Sequence, residues 1–154
     1  MPDTYIGAID QGTTGTRFMV FDHGGQVVAN AYEGHEQIYP EPGWVEHDPV
    51  EIWENTQDVV TSGLDDAGID ATQLEALGIT NQRETTIVWD EETGKPVHNA
   101  LVWQDRRTTD RVEELEEADK VEWVREKTGL EADAYFSATK TEWILDNAEP
   151  LKLQ

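Results

Sequence analysis

A mixed-sheet α/β fold is what this 154-residue sequence predicts, and three observations lead there. Short apolar runs over residues 5–10, 17–22 and 26–32 follow one another across tight turns, as in an antiparallel meander. A helix-periodic segment then opens at Asp48-Pro49 and stops at Gly68. A further apolar run over 74–80 returns towards the first strands.

The elements follow in chain order. Residues 5–10 form a short buried strand, and Gln11 to Thr16 a Gly-containing hairpin that leads into the strand over 17–22. His23-Gly24-Gly25 is a second turn, followed by the strand over 26–32. Residues 33–47 hold Pro40, Pro42 and Gly43 and read as a loop. Asp48 can cap the next helix, Pro49 suits its first position, and Glu51 can close a capping box. Trp53, Thr56, Val60, Leu64 and Ala67 recur at steps of three and four, which predicts its apolar face. Strands are expected over 74–80 and 85–90, with a turn over 91–96 and a short apolar run over 100–103. Residues 106–127 predict one or two helices, with Val112, Leu115, Ala118, Val121 and Val124 on one side and Gly129 as a stop. A last helix begins near Thr139, with Trp143, Ile144 and Leu145 as its apolar residues. Periodicity supports only α/β. The order of three antiparallel strands, a helix and a returning strand matches the ribonuclease-H-like, actin-type ATPase plan.

Charge narrows the classes. Thirty-three acids face 11 bases, for a net charge of −22. Binding of nucleic acid through phosphate contacts needs clustered Lys and Arg, so that class is excluded. The acids are spread along the chain, a pattern that fits a surface adapted to high salt, where screening weakens their mutual repulsion. Cysteine is absent, which removes disulfides, thiol catalysis and Cys-based zinc sites. No stretch is long and apolar enough for a membrane span, and Met1-Pro2-Asp3-Thr4 lacks the basic and apolar regions of a leader. A cytoplasmic protein is expected.

Three constellations can carry chemistry. At Asp10 to Arg17, a strand ends in a carboxylate and enters a Gly/Thr turn. Turn N–H groups, with the hydroxyls of Thr13 and Thr14, can cradle phosphates; Asp10 can hold a hydrated Mg²⁺, and Arg17 can meet phosphate with its planar fork. An ordinary hairpin explains the same residues equally well. Arg83 and Glu84 set a pure donor beside a pure acceptor, which can bracket a diol; a surface ion pair is the plainer reading. Trp103 offers a flat apolar wall and Tyr135 a phenol, though both residue types are more often core or boundary. Gln104-Asp105-Arg106-Arg107 is most simply the charged first turn of a helix. The histidines (His23, His35, His47, His98) have no metal-ligand spacing and read as structural or surface residues.

These segments resemble one family. Ala8-Ile9-Asp10-Gln11-Gly12-Thr13-Thr14, Pro42-Gly43-Trp44-Val45-Glu46-His47-Asp48-Pro49, Gly78 to Val88, Asn99-Ala100-Leu101-Val102-Trp103-Gln104 and Tyr135-Phe136-Ser137 are similar to the N-terminal portion of the FGGY carbohydrate kinases, in their glycerol kinase branch. Asp-x-Gly-Thr-Thr is shared across the wider superfamily. The Pro-Gly-Trp and Thr-Asn-Gln-Arg-Glu-Thr-Thr stretches are far more specific to the glycerol branch.

The resemblance implies ATP-dependent phosphorylation of glycerol to glycerol 3-phosphate. Thr13, Thr14, Gly15 and Arg17 would lie around the ATP phosphates and Asp10 near Mg²⁺. Arg83, Glu84 and Tyr135 would bind the glycerol hydroxyls, with Trp103 against its carbons. Many family members carry two serines where this chain has Gly15-Thr16, so a contact at Gly15 is expected through the backbone. Family members are two-domain proteins several times longer. Residues 1–154 are therefore expected to be part of the first domain, with the second domain and the general-base aspartate outside them and no turnover by these residues alone. For the full-length protein a homo-oligomer is an open expectation. Two alternatives also stay open: a kinase for another polyol or sugar, and a non-catalytic nucleotide-binding actin-type module.

Overall fold

The computed structural model describes residues 4–148. The start of the chain read for a leader lies, except for Thr4, outside the described residues, as do residues 149–154. The fold divides into two compact units, one of Met1–Glu36 with Val50–Gln82, the other of Gln37–Pro49 with Arg83–Gln154.

The first unit is a four-stranded mixed sheet covered on one face by a helix. Strands β1 (Tyr5–Gln11), β2 (Gly15–Phe21) and β3 (Val27–Gly34) form the expected antiparallel meander. The fifth strand in chain order, β5 (Leu74–Thr80), has the bounds the sequence predicts and pairs parallel with β1, giving the order β3-β2-β1-β5. Side chains alternate across the sheet. Ile9, Phe18, Val20 and Ala29 point into the core with Val59 of helix α1 (Pro49–Ala67). The next residues along, Asp10 and Arg17, are exposed on the other face.

Helix α1 begins at Pro49 and stops at Gly68, whose φ of 66° is the left-handed conformation of a helix end. Its buried stripe differs from the expected one. Val59 and Gly63 are the buried positions, Val60, Leu64 and Ala67 pack at their edge, and Trp53 is exposed. Gly63 is there to admit Phe18: a Cβ at Gly63 would lie 2.6 Å from Phe18 Cδ1. Seating a fully buried Phe contributes about 1.5–3 kcal/mol, against the roughly 1 kcal/mol a mid-helix glycine costs. Glu51, expected in a capping box, accepts the Glu36 N–H with both carboxylate oxygens at 3.1 Å, which ties the exit of β3 to the helix.

The second unit centres on a two-stranded ribbon, β4 (Glu46–His47) with β6 (Ala100–Leu101), antiparallel. The strand expected over 85–90 is not one. Only two isolated bridges form, Thr86 with Leu101 and Trp89 with Pro96. Pro96 has no N–H to extend the ladder, and Ile87 and Trp89 are exposed, so no apolar face holds the segment flat. The turn beyond it is as expected: Asp90 Oδ1 accepts the Thr93 N–H and hydroxyl at 2.7 Å each.

The charged region at 106–127 resolves into two helices, α2 (Thr109–Glu117) and α3 (Val121–Thr128), broken where Asp119 takes φ 55° and ended at Gly129. Helix α4 (Ser137–Asn147) starts two residues before the expected point. Its Ile144 is buried and its Leu145 exposed.

Candidate functional site

The hairpin between β1 and β2 is built from its strand register. Asp10 pairs with Arg17 on one side and Thr80 on the other, and Arg17 pairs with Tyr32. Directly paired residues share a face. Thr80, Asp10, Arg17 and Tyr32 therefore form a polar row across the sheet face opposite α1. Arg17 lies over the Tyr32 ring, 5.5 Å from its centroid.

The turn itself is tightly closed. Gly12 N–H donates to Gly15 O at 2.9 Å, and the Gln11 amide donates to Gly12 O at 2.9 Å. The Gln82 amide in turn donates to Gln11 Oε1 at 3.2 Å, joining the end of β1 to the residues after β5. Thr14 O accepts the Tyr32 hydroxyl at 3.2 Å and the His35 N–H at 3.4 Å. A Cβ at Gly15 would meet Glu33 O at 2.4 Å and Tyr32 Oη at 2.5 Å, so only glycine fits there without movement. Of the two places expected for His35, structural or surface, the first is the observed one. It sits buried against this turn, and burial pushes its imidazole below its ordinary value, opposed by a backbone hydrogen bond with Thr13 and by the Glu51 charge. Nothing in its spacing signalled this.

In the second unit the polyol-type residues lie around the start of α4. Arg83 is exposed and in no ion pair among the described residues. Glu84 takes φ 66°, a left-handed backbone that costs a non-glycine residue about 1–2 kcal/mol. Its Oε2 accepts the Ser137 hydroxyl at 2.8 Å and the Ser137 N–H at 3.1 Å. An acidic group at the start of a helix is stabilised by the unpaired N–H groups there. Oε1 is left as the acceptor with no donor among the described residues. Trp103 and Tyr135 meet edge to face, with centroids 6.1 Å apart, and Phe136 backs Tyr135 at 5.1 Å. The Tyr135 main chain is held at both ends: its N–H donates to Asp133 Oδ1 at 2.7 Å, and its carbonyl accepts from Lys140 Nζ. The Arg106 guanidinium beside Asp133 holds that carboxyl below the usual carboxylate range, helped by the Tyr135 N–H. Glu84, Trp103, Tyr135 and Arg83 thus belong to one unit, which Ser137, Lys140 and Asp133 brace.

The expectation for Gln104 to Arg107 is corrected. The helix starts only at Thr109, and Asp105 and Arg107 form a buried ionic cluster instead of a solvated first turn. Arg107 Nη2 donates to Glu46 Oε1 and to Asp105 Oδ2, both at 2.8 Å, and Nε to Asp105 Oδ1 at 2.9 Å. The guanidinium sits in the corner of two indoles set at 81° to one another, over the Trp44 ring at 3.8 Å and the Trp143 ring at 4.5 Å. Arginine suits this slot because its planar fork can stack and bridge two carboxylates at once.

Comparison with known proteins places the chain. Residues 5–154 match the N-terminal domain of the FGGY family of carbohydrate kinases. The chain belongs to that family. It is 88% identical to the glycerol kinase of Haloarcula marismortui and 84% identical to that of Haloquadratum walsbyi, over all 154 residues in each case. Both relatives come from halophilic archaea, in accord with the acid-dense composition. The chain spans 30% of the length of each. Among solved structures, Plasmodium falciparum glycerol kinase with ADP superposes with a TM-score of 0.86 at 37% identity, over 94% of this chain and 29% of that one. The actin-type fold expected for an FGGY chain is therefore the observed one.

Proposed function

We propose that the full-length protein transfers the terminal phosphoryl group of ATP to glycerol, giving glycerol 3-phosphate. The observation that carries this reading is the 88% identity, over all 154 residues, to a relative named glycerol kinase. The braced set of Glu84, Trp103 and Tyr135 supports it, since it joins a free carboxylate oxygen to an aromatic corner fit for a small triol. On this reading Arg83 donates to glycerol hydroxyls, Glu84 Oε1 accepts from them, Tyr135 adds a phenol and Trp103 packs against the carbons.

The nucleotide end is assigned to the β1–β2 hairpin. Thr13, Thr14 and Gly15 would line the phosphates and Arg17 would meet one of them; Gly12 N–H stays engaged with Gly15 O. Asp10 is exposed at the end of β1 with Thr80 and Arg17 as row neighbours, which suits an ion that takes one carboxylate and keeps its waters. Magnesium held there by Asp10 would supply positive charge against the phosphates. We assign residues 1–154 to the first part of the N-terminal domain, and the second domain and the general base to the remaining length. On this reading the reaction belongs in the cytoplasm, where ATP is supplied. Among the described residues, no helix is long and apolar enough to cross a membrane.

The test is an ADP-release assay of the full-length protein in high salt with Mg-ATP. Glycerol is expected to be the preferred acceptor over xylulose and gluconate. Glu84→Gln, which weakens a charged hydrogen bond, should raise the glycerol KM by roughly tenfold or more. ADP release that ignores glycerol, or prefers one of the sugars, would refute the reading.

A further inference from the structure

Lys140 is a charge that substrate binding leaves unexplained. It lies on α4 with its side chain wholly buried. A buried ammonium is costly unless it is hydrogen-bonded. Its two partners are informative. Nζ donates to the Glu84 carbonyl at 3.3 Å and, in a shorter contact, to the Tyr135 carbonyl. These are main-chain atoms of two residues assigned to the polyol, drawn from segments far apart in the sequence.

The same helix turn also holds the Glu84 carboxylate, through Ser137. Glu84 is thus held at its carbonyl by Lys140 and, at 3.4 Å, by the Thr86 hydroxyl, and at its side chain by Ser137, while its backbone sits at φ 66°. Without the ammonium, nothing on α4 would tie that carbonyl to the Tyr135 carbonyl. The charged groups around Nζ are Asp105, Glu84 and Asp133, which favour the ammonium, and Arg106, which opposes it.

We propose that Lys140 is a positioning residue of the polyol site: its ammonium pins the carbonyls of Glu84 and Tyr135 together and so fixes the separation of the Glu84 carboxylate from the Tyr135 phenol. This rests on the glycerol reading above. The role assigned to Lys140 is positional, through those two carbonyls.

The experiment uses the full-length enzyme in high salt, with wild type, Lys140→Met, Lys140→Gln and Lys140→Arg. Wild type is assayed first, and absence of glycerol-dependent ADP release there would count against the glycerol reading, not against Lys140. Given an active wild type, Lys140→Met is expected to raise the glycerol KM about tenfold or more, with the ATP KM within about twofold. Lys140→Arg, which keeps a charged donor, should recover part of that loss. Lys140→Gln reaches at most one carbonyl and serves if the Met variant does not fold; it should shift the glycerol KM in the same direction. A folded Met or Gln variant with wild-type glycerol KM would overturn the proposal. So would an equal rise in both KM values, which is what a merely structural lysine would give.

Discussion

Arg107→Met in the full-length protein tests how much of the second unit rests on one buried cation. The guanidinium is the shared partner of two carboxylates, through Nη2 to Glu46 and through Nε and Nη2 to Asp105. Removing it does not strip the two acids equally. Asp105 keeps the Val45 N–H at 2.7 Å and the Arg107 main-chain N–H at 2.9 Å. Among the described residues Glu46 keeps only the Asn99 amide, at 2.9 Å, and its side chain is 7% exposed. Breaking a buried pair on one side costs about 3–5 kcal/mol, because the remaining charge is left uncompensated. Loss of the contacts with the Trp44 and Trp143 rings adds about 0.5–2 kcal/mol. Denaturant unfolding followed by tryptophan fluorescence suits the question, since both flanking rings report on the cluster. Arg107→Met should lose stability on this scale in both dilute and multimolar salt, as buried pairs are little screened. Adding Glu46→Gln should return about 1–3 kcal/mol by removing the stranded charge. A single variant within about 1 kcal/mol of wild type, or a double variant no better than the single, would refute the reasoning.

Three further outcomes follow. Gly15→Ser, which installs the residue many family members carry, should destabilise by about 1–3 kcal/mol and raise the ATP KM, because the new Cβ meets Glu33 O. Unchanged melting and ATP KM would count against the assigned turn, and Tyr32→Phe should not rescue it, since the backbone contact remains. Salt should stabilise the protein: at 0.1 M the Debye length is about 10 Å and at 1 M about 3 Å, so repulsion among 33 acids fades, and a melting temperature that does not rise with KCl would contradict this. Burial pushes the Lys140 ammonium down from 10.5 to about 8, so above that pH the unfolded chain binds the extra proton. Wild-type stability relative to Lys140→Met should therefore rise from about pH 8 to about 10.5 and be flat below pH 8; a fall over that window would reverse the sign assigned to burial.

What could be read from the sequence was local. The meander, the return of β5 and the stops at Gly68 and Gly129 each rest on a few adjacent residues whose pattern survives tertiary packing. Arg107 could not be read that way. Arg106 and Arg107 are neighbours of one type, yet the first is half exposed with Asp133 and the second wholly buried. The difference is set by Glu46, Trp44 and Trp143, which local pattern cannot bring together. Lys140 is hidden for the same reason, as its partners Glu84 and Tyr135 meet only once α4 is docked. Trp53 and Leu145 failed in the opposite sense: each lies at a helix-periodic position, but periodicity does not say where packing along the helix begins or ends. The site residues themselves were legible only through the family's motifs, since Arg83-Glu84 and the Gly/Thr turn have plain explanations on spacing alone.

The arginines connect composition with site. With 33 acids against 11 bases, a carboxylate is available to almost any cation on this chain. Four of the arginines take one: Arg106 with Asp133, Arg107 with Glu46 and Asp105, Arg111 with Glu114 and Glu142, and Arg125 with Glu131. Arg17 and Arg83 form no ion pair among the described residues, although Asp10 stands directly across the strand from Arg17 and Glu84 follows Arg83. Glu84 gives one oxygen to Ser137, and Arg17 lies over Tyr32 while Asp10 sits beside Thr80. A guanidinium kept from the many acids around it retains its donors for an anion or a hydroxyl that arrives from outside. The two arginines in that condition are the two that the kinase reading assigns to phosphate and to polyol.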